Sequence, residues 1–346
     1  MSKAIAASFA WDTTPDDAHR AVVSELALFF GTETGAKLTI AIPTYQREDL
    51  LVETIRSVMA QTRLNDVAVI VVDNDASSEG YNTLLARIPE LATIRFRYYR
   101  NPVNVGMFGN WNKCIDLCST PWLSILNDDD LLDPDFTASM LNFVDRHSDV
   151  DAAICSKRWI DQRDGNDVVM HEEDGAGRKI LGRLRFGNRG YRRITPRSLF
   201  FGNVIGNSVG LIVRTTIARK IGGFRAAEFP SADYYFNVRL ARIGHLSQLR
   251  RVLASVRIAQ NESCKPETVM GFLSQGRDLQ LILAKDMTPR WWGRLIPQLL
   301  RIAIDDVNAL WRTHLAPSDV AAALRTSVPQ KSSRLLKIMR NILPDI

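Results

Sequence analysis

Three aspartates stand in a row at 128–130, just behind the apolar run Trp122-Leu-Ser-Ile-Leu126 and Asn127. Adjacent carboxylates repel one another and are costly unless water or a cation neutralises them. Their hard oxygens suit Mg²⁺ or Mn²⁺. The competing reading is an acidic turn that caps the next helix, since Asp133-Pro134 makes a good helix start. The metal reading is preferred, because a turn requires one or two carboxylates rather than three. Three further polar clusters follow apolar runs in the same way: Pro43-Thr44-Tyr45-Gln46-Arg47, Asp73-Asn74-Asp75, and Asn101-Pro-Val-Asn104-Val-Gly106.

The elements that must hold these clusters are legible around them. Lys37 to Pro43 is a short β-rich run, and a helical pattern extends from Arg47 to Gln61. Val67-Ala-Val-Ile-Val-Val72 is uninterrupted and apolar, as a strand buried on both faces should be. A helix near 78–88, a strand near 93–100, a helix ending at Cys118 and a strand from Trp122 to Leu126 follow. Such alternation predicts right-handed crossovers and an α/β fold with a mostly parallel central sheet flanked by helices. Ligands of such sheets bind beyond the carboxyl ends of the strands, where the polar clusters fall.

Outside that block, residues 1–36 read as a leader whose helix runs from Thr14-Pro15 to Phe30 and ends at Gly31. Residues 161–197 lack clear periodicity and read as a long loop or irregular hairpin. A strand near 209–214, a helix near 231–243 and a strand near 248–258 return to order. From Pro266 onward the pattern is helical, near 268–285, 289–313 and 318–340. The expected division is a leader (1–36), a catalytic domain (37–265) and a helical C-terminal region (266–346).

Composition narrows the function. With 346 residues, 46% of them hydrophobic and 24% charged, the chain is neither disordered nor a disulfide scaffold. A net charge of +6 is ordinary solubility, and an anionic small substrate or membrane surface suits it as well as nucleic acid. No nucleic-acid module is recognisable, and no nucleic-acid partner is expected. Cys114, Cys118, Cys155 and Cys264 read as reduced, packed thiols, consistent with a reducing cytoplasm. No signal-peptide core begins the chain, and no run approaches the ~18–20 apolar residues that span a bilayer. The expected location is the cytoplasm, with peripheral contact at the inner face of the membrane as the furthest departure. No Gly-x-Gly-x-x-Gly follows a strand, which excludes a dehydrogenase.

Taken together, Ile42-Pro-Thr-Tyr-Gln-Arg47, Val72-Asp-Asn74, Asn101-x-x-Asn104-x-Gly106 and Leu126-Asn-Asp-Asp-Asp130-x-x-x-Pro134 resemble, in order and spacing, family-2 glycosyltransferases of the GT-A fold. The resemblance covers roughly residues 38–265. It implies transfer of a sugar from a nucleotide sugar to an acceptor hydroxyl, with inversion at the anomeric carbon and a divalent cation as cofactor. By that resemblance Pro43, Thr44 and Tyr45 border the nucleobase, with Arg47 beside them, and Asp73 lies at its edge. Asn74 takes the place of a second acid. The turn formed by Asn101, Asn104 and Gly106 offers amide and backbone donors to the nucleoside. Asp128 faces the ribose or the metal, and Asp129 is the metal ligand of the Asp-x-Asp element, whose first position is Asn127 here. A UDP-sugar is the favoured donor, and a saccharide or lipid-linked acceptor is expected.

On the acceptor side, Gly222 to Leu240 resembles the family segment in which a Glu-Asp pair opens a helix. Asp233 matches the general base, and Ala232 replaces the first acid. A plain N-cap is the competing role for Asp233, with Glu228 as the next candidate base. Asn203, Asn207 and Ser208 match an acceptor-side loop. Ala259 stands where relatives often carry a histidine, which leaves Glu262 as a substitute ligand. Arg100 and Lys113 are nearby cations that more often are surface charges. Eight basic residues and no acid lie between 178 and 197, a solvated face or a contact for an anionic acceptor. Trp291-Trp292 reads as an interfacial helix or a core and oligomer contact, with the C-terminal helices as the homo-oligomer surface. A nucleotidyltransferase would need a Gly-rich loop after the first strand, which Pro43 to Arg47 is not. A sugar-nucleotide-binding scaffold is the remaining alternative.

Overall fold

The computed structural model describes residues 18–342 apart from 33, 78, 172–188, 260–263 and 289. The first half alternates as its apolar runs require. Strands β1 (Glu25–Phe30), β2 (Leu38–Thr44), β3 (Val67–Asp73), β4 (Phe96–Arg100) and β5 (Trp122–Ile125) are interleaved with helices α1 (Glu48–Met59), α2 (Gly80–Arg87) and α3 (Gly106–Leu117). The short β6 (Leu131–Leu132) and α4 (Phe136–Arg146) lead into β7 (Ala152–Asp161), β8 (Val168–His171) and β9 (Tyr191–Ile194). Then come α5 (Pro196–Phe200), β10 (Leu211–Arg214), α6 (Thr215–Lys220), α7 (Ala232–Ile243) and β11 (Leu246–Ile258). Helices α8 (Pro266–Asp286), α9 (Ile296–Trp311), α10 (Pro317–Leu324) and α11 (Arg334–Ile342) complete the described chain.

Among the described residues one sheet runs β1-β4-β3-β2-β5-β10-β7-β11-β6, with β8 on β7 and β9 on β11. It is mixed. The block β4-β3-β2-β5 is parallel, as the crossovers require, whereas β10 runs antiparallel to both β5 and β7. Every residue of β2 and β3 is buried. Val67, Val69 and Val71 enter one core and Ile70 and Val72 the other, the two-residue period of a strand covered on both faces. Each such side chain contributes about 1.5–3 kcal/mol on burial. Helices α1, α2 and α4 cover one face; α3, α7, α8 and α9 cover the other. Thr44 pairs with Asp73, so β2 and β3 end level.

The leader differs from expectation. Its helix through Phe30 is instead a single 3₁₀ turn at Ala18–Ala21 followed by β1, which pairs antiparallel with β4. A short apolar run satisfies helix or strand alike, and the open edge of β4 decides for the strand. The segment is tied down by side chains: Lys113 reaches the Val22 carbonyl, Ser24 donates to Asn101 Oδ1 at 2.6 Å, and Arg100 pairs with Glu25 at 3.0 Å. Both cations therefore anchor the leader. Within residues 161–197, β8 returns antiparallel along β7 as a hairpin and β9 pairs with β11; most of the Arg-rich stretch lies outside the described residues.

Leu279, Ile282 and Leu283 of α8 and Leu299 and Ile302 of α9 join the core on that face of the sheet, and a small cluster of Leu273, Leu300, Ile304 and Val320 ties α8, α9 and α10 together. Arg312 adds ion pairs to Asp161 and Asp164 at 3.0 and 2.7 Å. Trp292 is core, packed edge-on against Phe200 and Phe201 beneath Arg197, while Trp291 stacks outside it. No helix among the described residues is long and apolar enough to cross a membrane.

Candidate active site

The acidic turn after β5 does not present its three carboxylates alike. Asp130 is 1% exposed and turned inward, accepting from Asn127 Nδ2 at 2.9 Å and from the Arg257 N–H at 3.0 Å. It fastens the turn to β11. Thr54 of α1 holds the backbone from beneath, its hydroxyl lying 2.9 Å from the carbonyls of both Asp128 and Asp130. Asp128 and Asp129 converge on one point instead: Arg47 Nη1 lies 3.4 Å from Asp128 Oδ1 and 3.1 Å from Asp129 Oδ2. Thr44 donates to the other Asp128 oxygen at 2.8 Å. Burial and the Asp129 charge push the Asp128 carboxyl up to about 6, against the pull of Arg47 and Thr44. Burial likewise raises Asp129, with Arg47 and Arg257 opposing.

Beside it, β3 and β4 end in a hydrogen-bonded net. Asp73 is buried, accepting from the Tyr98 hydroxyl and from the Asp75 N–H. Asn74 donates to Asn104 Oδ1 at 2.7 Å and accepts from Asn101 Nδ2 and the Val105 N–H. Asn101 also donates to Asn110, whose own amide reaches the Val72 carbonyl. These amides shape the 101–106 turn from within; Tyr45, Asn104 and Gly106 are its exposed neighbours. Gly106 has φ +76° and nothing within 4 Å of an added Cβ, so the backbone, not space, calls for glycine.

Of the residues expected on the acceptor side, Asn207, Ser208 and Asp233 meet at a second point. Trp111, Asn127, Asn207, Ser208, Phe224 and Asp233 are among the residues lining one small pocket. Asp233 opens α7 without capping it: Ser231 holds the cap position, and Asp233 Oδ1 accepts the Ser208 N–H at 3.1 Å. Burial raises its carboxyl, with Ser208 and the Lys157 ammonium opposing. Among the described residues the Ser208 hydroxyl, buried there, has no hydrogen-bond partner. Asn203 is exposed at the loop's start, closing it through the Gly206 carbonyl at 2.9 Å.

An acidic pair facing one cation and a lone acid in an adjoining pocket, on a sheet of this topology, invite comparison with known proteins. The sequence profile described as "Glycosyl transferase family 2" matches residues 39–222, more than half of the chain. The chain belongs to glycosyltransferase family 2. Over 114 residues it is 28% identical to abequosyltransferase RfbV of Salmonella typhimurium, a match spanning 33% of this chain and 34% of that protein. The fold is GT-A. It is shared with S. aureus TarS 1-349 solved with UDP-GlcNAc, at TM-score 0.57 and 14% identity over 89% of this chain and 88% of that one. It is shared too with the mannosyltransferase PcManGT of Pyrobaculum calidifontis solved with GDP-Man and Mn²⁺, at TM-score 0.50 and 16% identity over 99% and 97%.

In this glycosyltransferase the expected site residues separate into two groups. Thr44 bonds Asp128, which Arg47 links to Asp129, and Asn207, Ser208 and Asp233 share the adjoining pocket. Asn74 and Asn101 lie behind the surface instead. Glu228 is not an alternative base: it is 1% exposed and paired bidentately with Arg239, with Arg225 3.6 Å away. Ala259 follows β11 directly, and Glu262 lies outside the described residues. Among the described residues no three His, Cys, Asp or Glu side chains gather as a metal-binding group. Sequence reasoning missed Thr54, Asn110 and Lys157. The local pattern gave no signal for Lys157, which follows the apolar run Ala152 to Cys155 with Ser156 before it and Arg158 after it.

Proposed function

We propose that this glycosyltransferase moves a sugar from a nucleotide sugar to an acceptor hydroxyl with inversion, using Asp233 as general base. The observation that carries this reading is the pocket in which Asn127, next to the acidic turn, and Asp233 meet the Asn207-Ser208 loop. A sugar there has the diphosphate side at Asp128 and Asp129 and the acceptor side at Asp233. The Asp233 carboxylate takes the proton of the acceptor hydroxyl. The freed oxygen forms a bond to the anomeric carbon from the face opposite the leaving group. The bond from that carbon to the diphosphate breaks, and the nucleoside diphosphate departs with the electron pair. Pro43, Thr44 and Tyr45 border the nucleobase, and Asp73, held by Tyr98, shapes its edge.

The donor set fits a divalent cation. Asp128 and Asp129 present oxygens to one positively charged group, and Mg²⁺-type sites use one or two carboxylates with the remainder supplied by substrate phosphates and water. Asp128 and Asp129 would hold the ion, with Arg47 giving way. Such an ion supplies Lewis-acid neutralisation of the leaving diphosphate. The Mn²⁺ that accompanies GDP-Man in the mannosyltransferase complex supports this choice. The UDP-GlcNAc of TarS and the GDP-Man of the mannosyltransferase support a nucleotide-sugar donor. A uridine nucleotide and an acceptor that is a cell-surface polysaccharide or glycolipid precursor are the specific proposals.

Calorimetry of uridine, guanosine and other nucleoside diphosphates, with and without Mn²⁺, tests the donor half. The expected result is Mn²⁺-dependent binding with preference for one base. Absence of binding for every nucleotide overturns the reading. Binding without any transfer from the matching nucleotide sugars favours the scaffold alternative.

A further inference from the structure

Lys157 lies in the middle of β7, paired in register with Ala254 of β11, and its side chain is 1% exposed. A buried ammonium is costly unless partners compensate it. One partner is residue Asn207, fifty positions along the chain. Lys157 Nζ donates to the Asn207 backbone carbonyl and, at 2.8 Å, to Asn207 Oδ1. That carbonyl belongs to the peptide unit joining Asn207 to Ser208. The N–H of the same peptide unit donates to Asp233 Oδ1 at 3.1 Å. One peptide group is thus bonded to a cation at its oxygen and to a carboxylate at its nitrogen. Hydrogen bonds in such a chain polarise one another, and each end here is charge-assisted. The ammonium also acts on Asp233, lowering its carboxyl against the rise that burial imposes.

Nothing about the sheet requires a lysine at this position. The neighbouring Ala152 to Cys155 are apolar and buried, as the strand's place in the sheet dictates. Loop 202–208 depends on glycines at positive φ, Gly202 at +126° and Gly206 at +66°, and a loop of that kind needs fixing from outside. Lys157 is its fixed point within the sheet.

We infer that Lys157 is a positioning residue for sugar transfer, holding the Asn207–Ser208 peptide unit so that its N–H orients the Asp233 carboxylate in the acceptor pocket. The inference rests on Asp233 being the base. Its test is a double-mutant cycle on the full chain, read by kcat, acceptor KM and nucleoside diphosphate affinity. Lys157→Met should lower kcat about 10²-fold, the scale of a displaced catalytic group, and raise acceptor KM. Nucleoside diphosphate affinity should not change. Lys157→Arg, which keeps charge and donors, should recover part of kcat. In an Asp233→Asn background, Lys157→Met should cost no further turnover. Losses that multiply in the double variant mean independent roles and overturn the inference, as does wild-type kcat in Lys157→Met. If Lys157→Met does not fold, Lys157→Gln, neutral but still a donor, takes its place in the same cycle. Near-wild-type turnover in Asp233→Asn alone removes the base reading and this inference with it, whereas multiplying losses remove the inference only.

Discussion

The Asp233 carboxylate, one residue inside α7, accepts its hydrogen bond from the Ser208 N–H of another loop and not from its own helix. A residue that caps its helix is satisfied locally; this one is held across the acceptor pocket. Asp233→Asn keeps the size and removes the basicity. Transfer should fall by ~10²–10⁴, the usual scale of a lost general base, while donor affinity stays at the wild-type value. Turnover within a few-fold of wild type would rule out Asp233 as the base.

The same carboxyl sets a pH dependence. Burial raises it above the ordinary 3.8, with Ser208 and Lys157 opposing. A base works only when ionised, so kcat should fall as pH drops through the Asp233 pKa. Because that pKa is raised, the fall should begin at higher pH than an exposed aspartate would give. A kcat–pH profile at saturating donor and acceptor checks this. A flat acidic limb down to the ordinary carboxylate range contradicts it.

In the proposed mechanism Asp129 carries the donor half. With Asp128 it forms the pair that converges on Arg47, and its loss leaves one outward carboxylate there. Asp129→Ala should abolish transfer and remove Mn²⁺-dependent binding of nucleoside diphosphate. Asp130→Ala should act differently, loosening the link to the Arg257 N–H and lowering Tm. Calorimetry with and without Mn²⁺, beside a melting curve, separates the two. Metal-dependent turnover by Asp129→Ala at the wild-type rate would sink the assignment.

Glu228 offers a contrast. It is buried against Arg239 and Arg225, and removing one partner of such a pair costs about 3–5 kcal/mol by leaving a charge uncompensated. Glu228→Ala should therefore lower Tm strongly. A Glu228→Ala protein of unchanged Tm, measured by calorimetric scanning, would contradict the structural role.

The sequence revealed what local pattern encodes. The apolar runs of β2, β3 and β5 and the polar residues at their ends were readable because a parallel strand buried on both faces has one composition and one exit. Strand β1 was not, since its six half-exposed residues suit a helix equally and only the free edge of β4 selects the strand. The three aspartates were equivalent as sequence, and Asp130 is held inward by Asn127 together with the Arg257 N–H on β11, 127 positions away. Lys157 went unread because it sits between Ser156 and Arg158 and its partner comes from a distant loop. Long-range pairing is what the local pattern leaves out.

Asp73 shows the same limit and supplies the last prediction. At the end of β3 it reads as an exposed residue that alanine could replace without unfolding the chain. In the structure it is 2% exposed, and the hydroxyl of Tyr98, itself fully buried, donates to its Oδ2. Alanine removes that acceptor, and a buried hydrogen bond to a charged group contributes about 1.5–3 kcal/mol. Asp73→Ala should therefore weaken nucleotide binding and lower Tm together. Asn keeps an oxygen able to accept from Tyr98, so Asp73→Asn should hold Tm close to wild type and lose nucleotide affinity alone. If the Tyr98 bond is what anchors Asp73, Tyr98→Phe should cost less Tm in an Asp73→Ala background than in the wild type, because the shared bond is already lost. Melting curves of these variants and one nucleotide titration decide it. Equal losses in the two backgrounds mean that the Tyr98 bond is not what anchors Asp73.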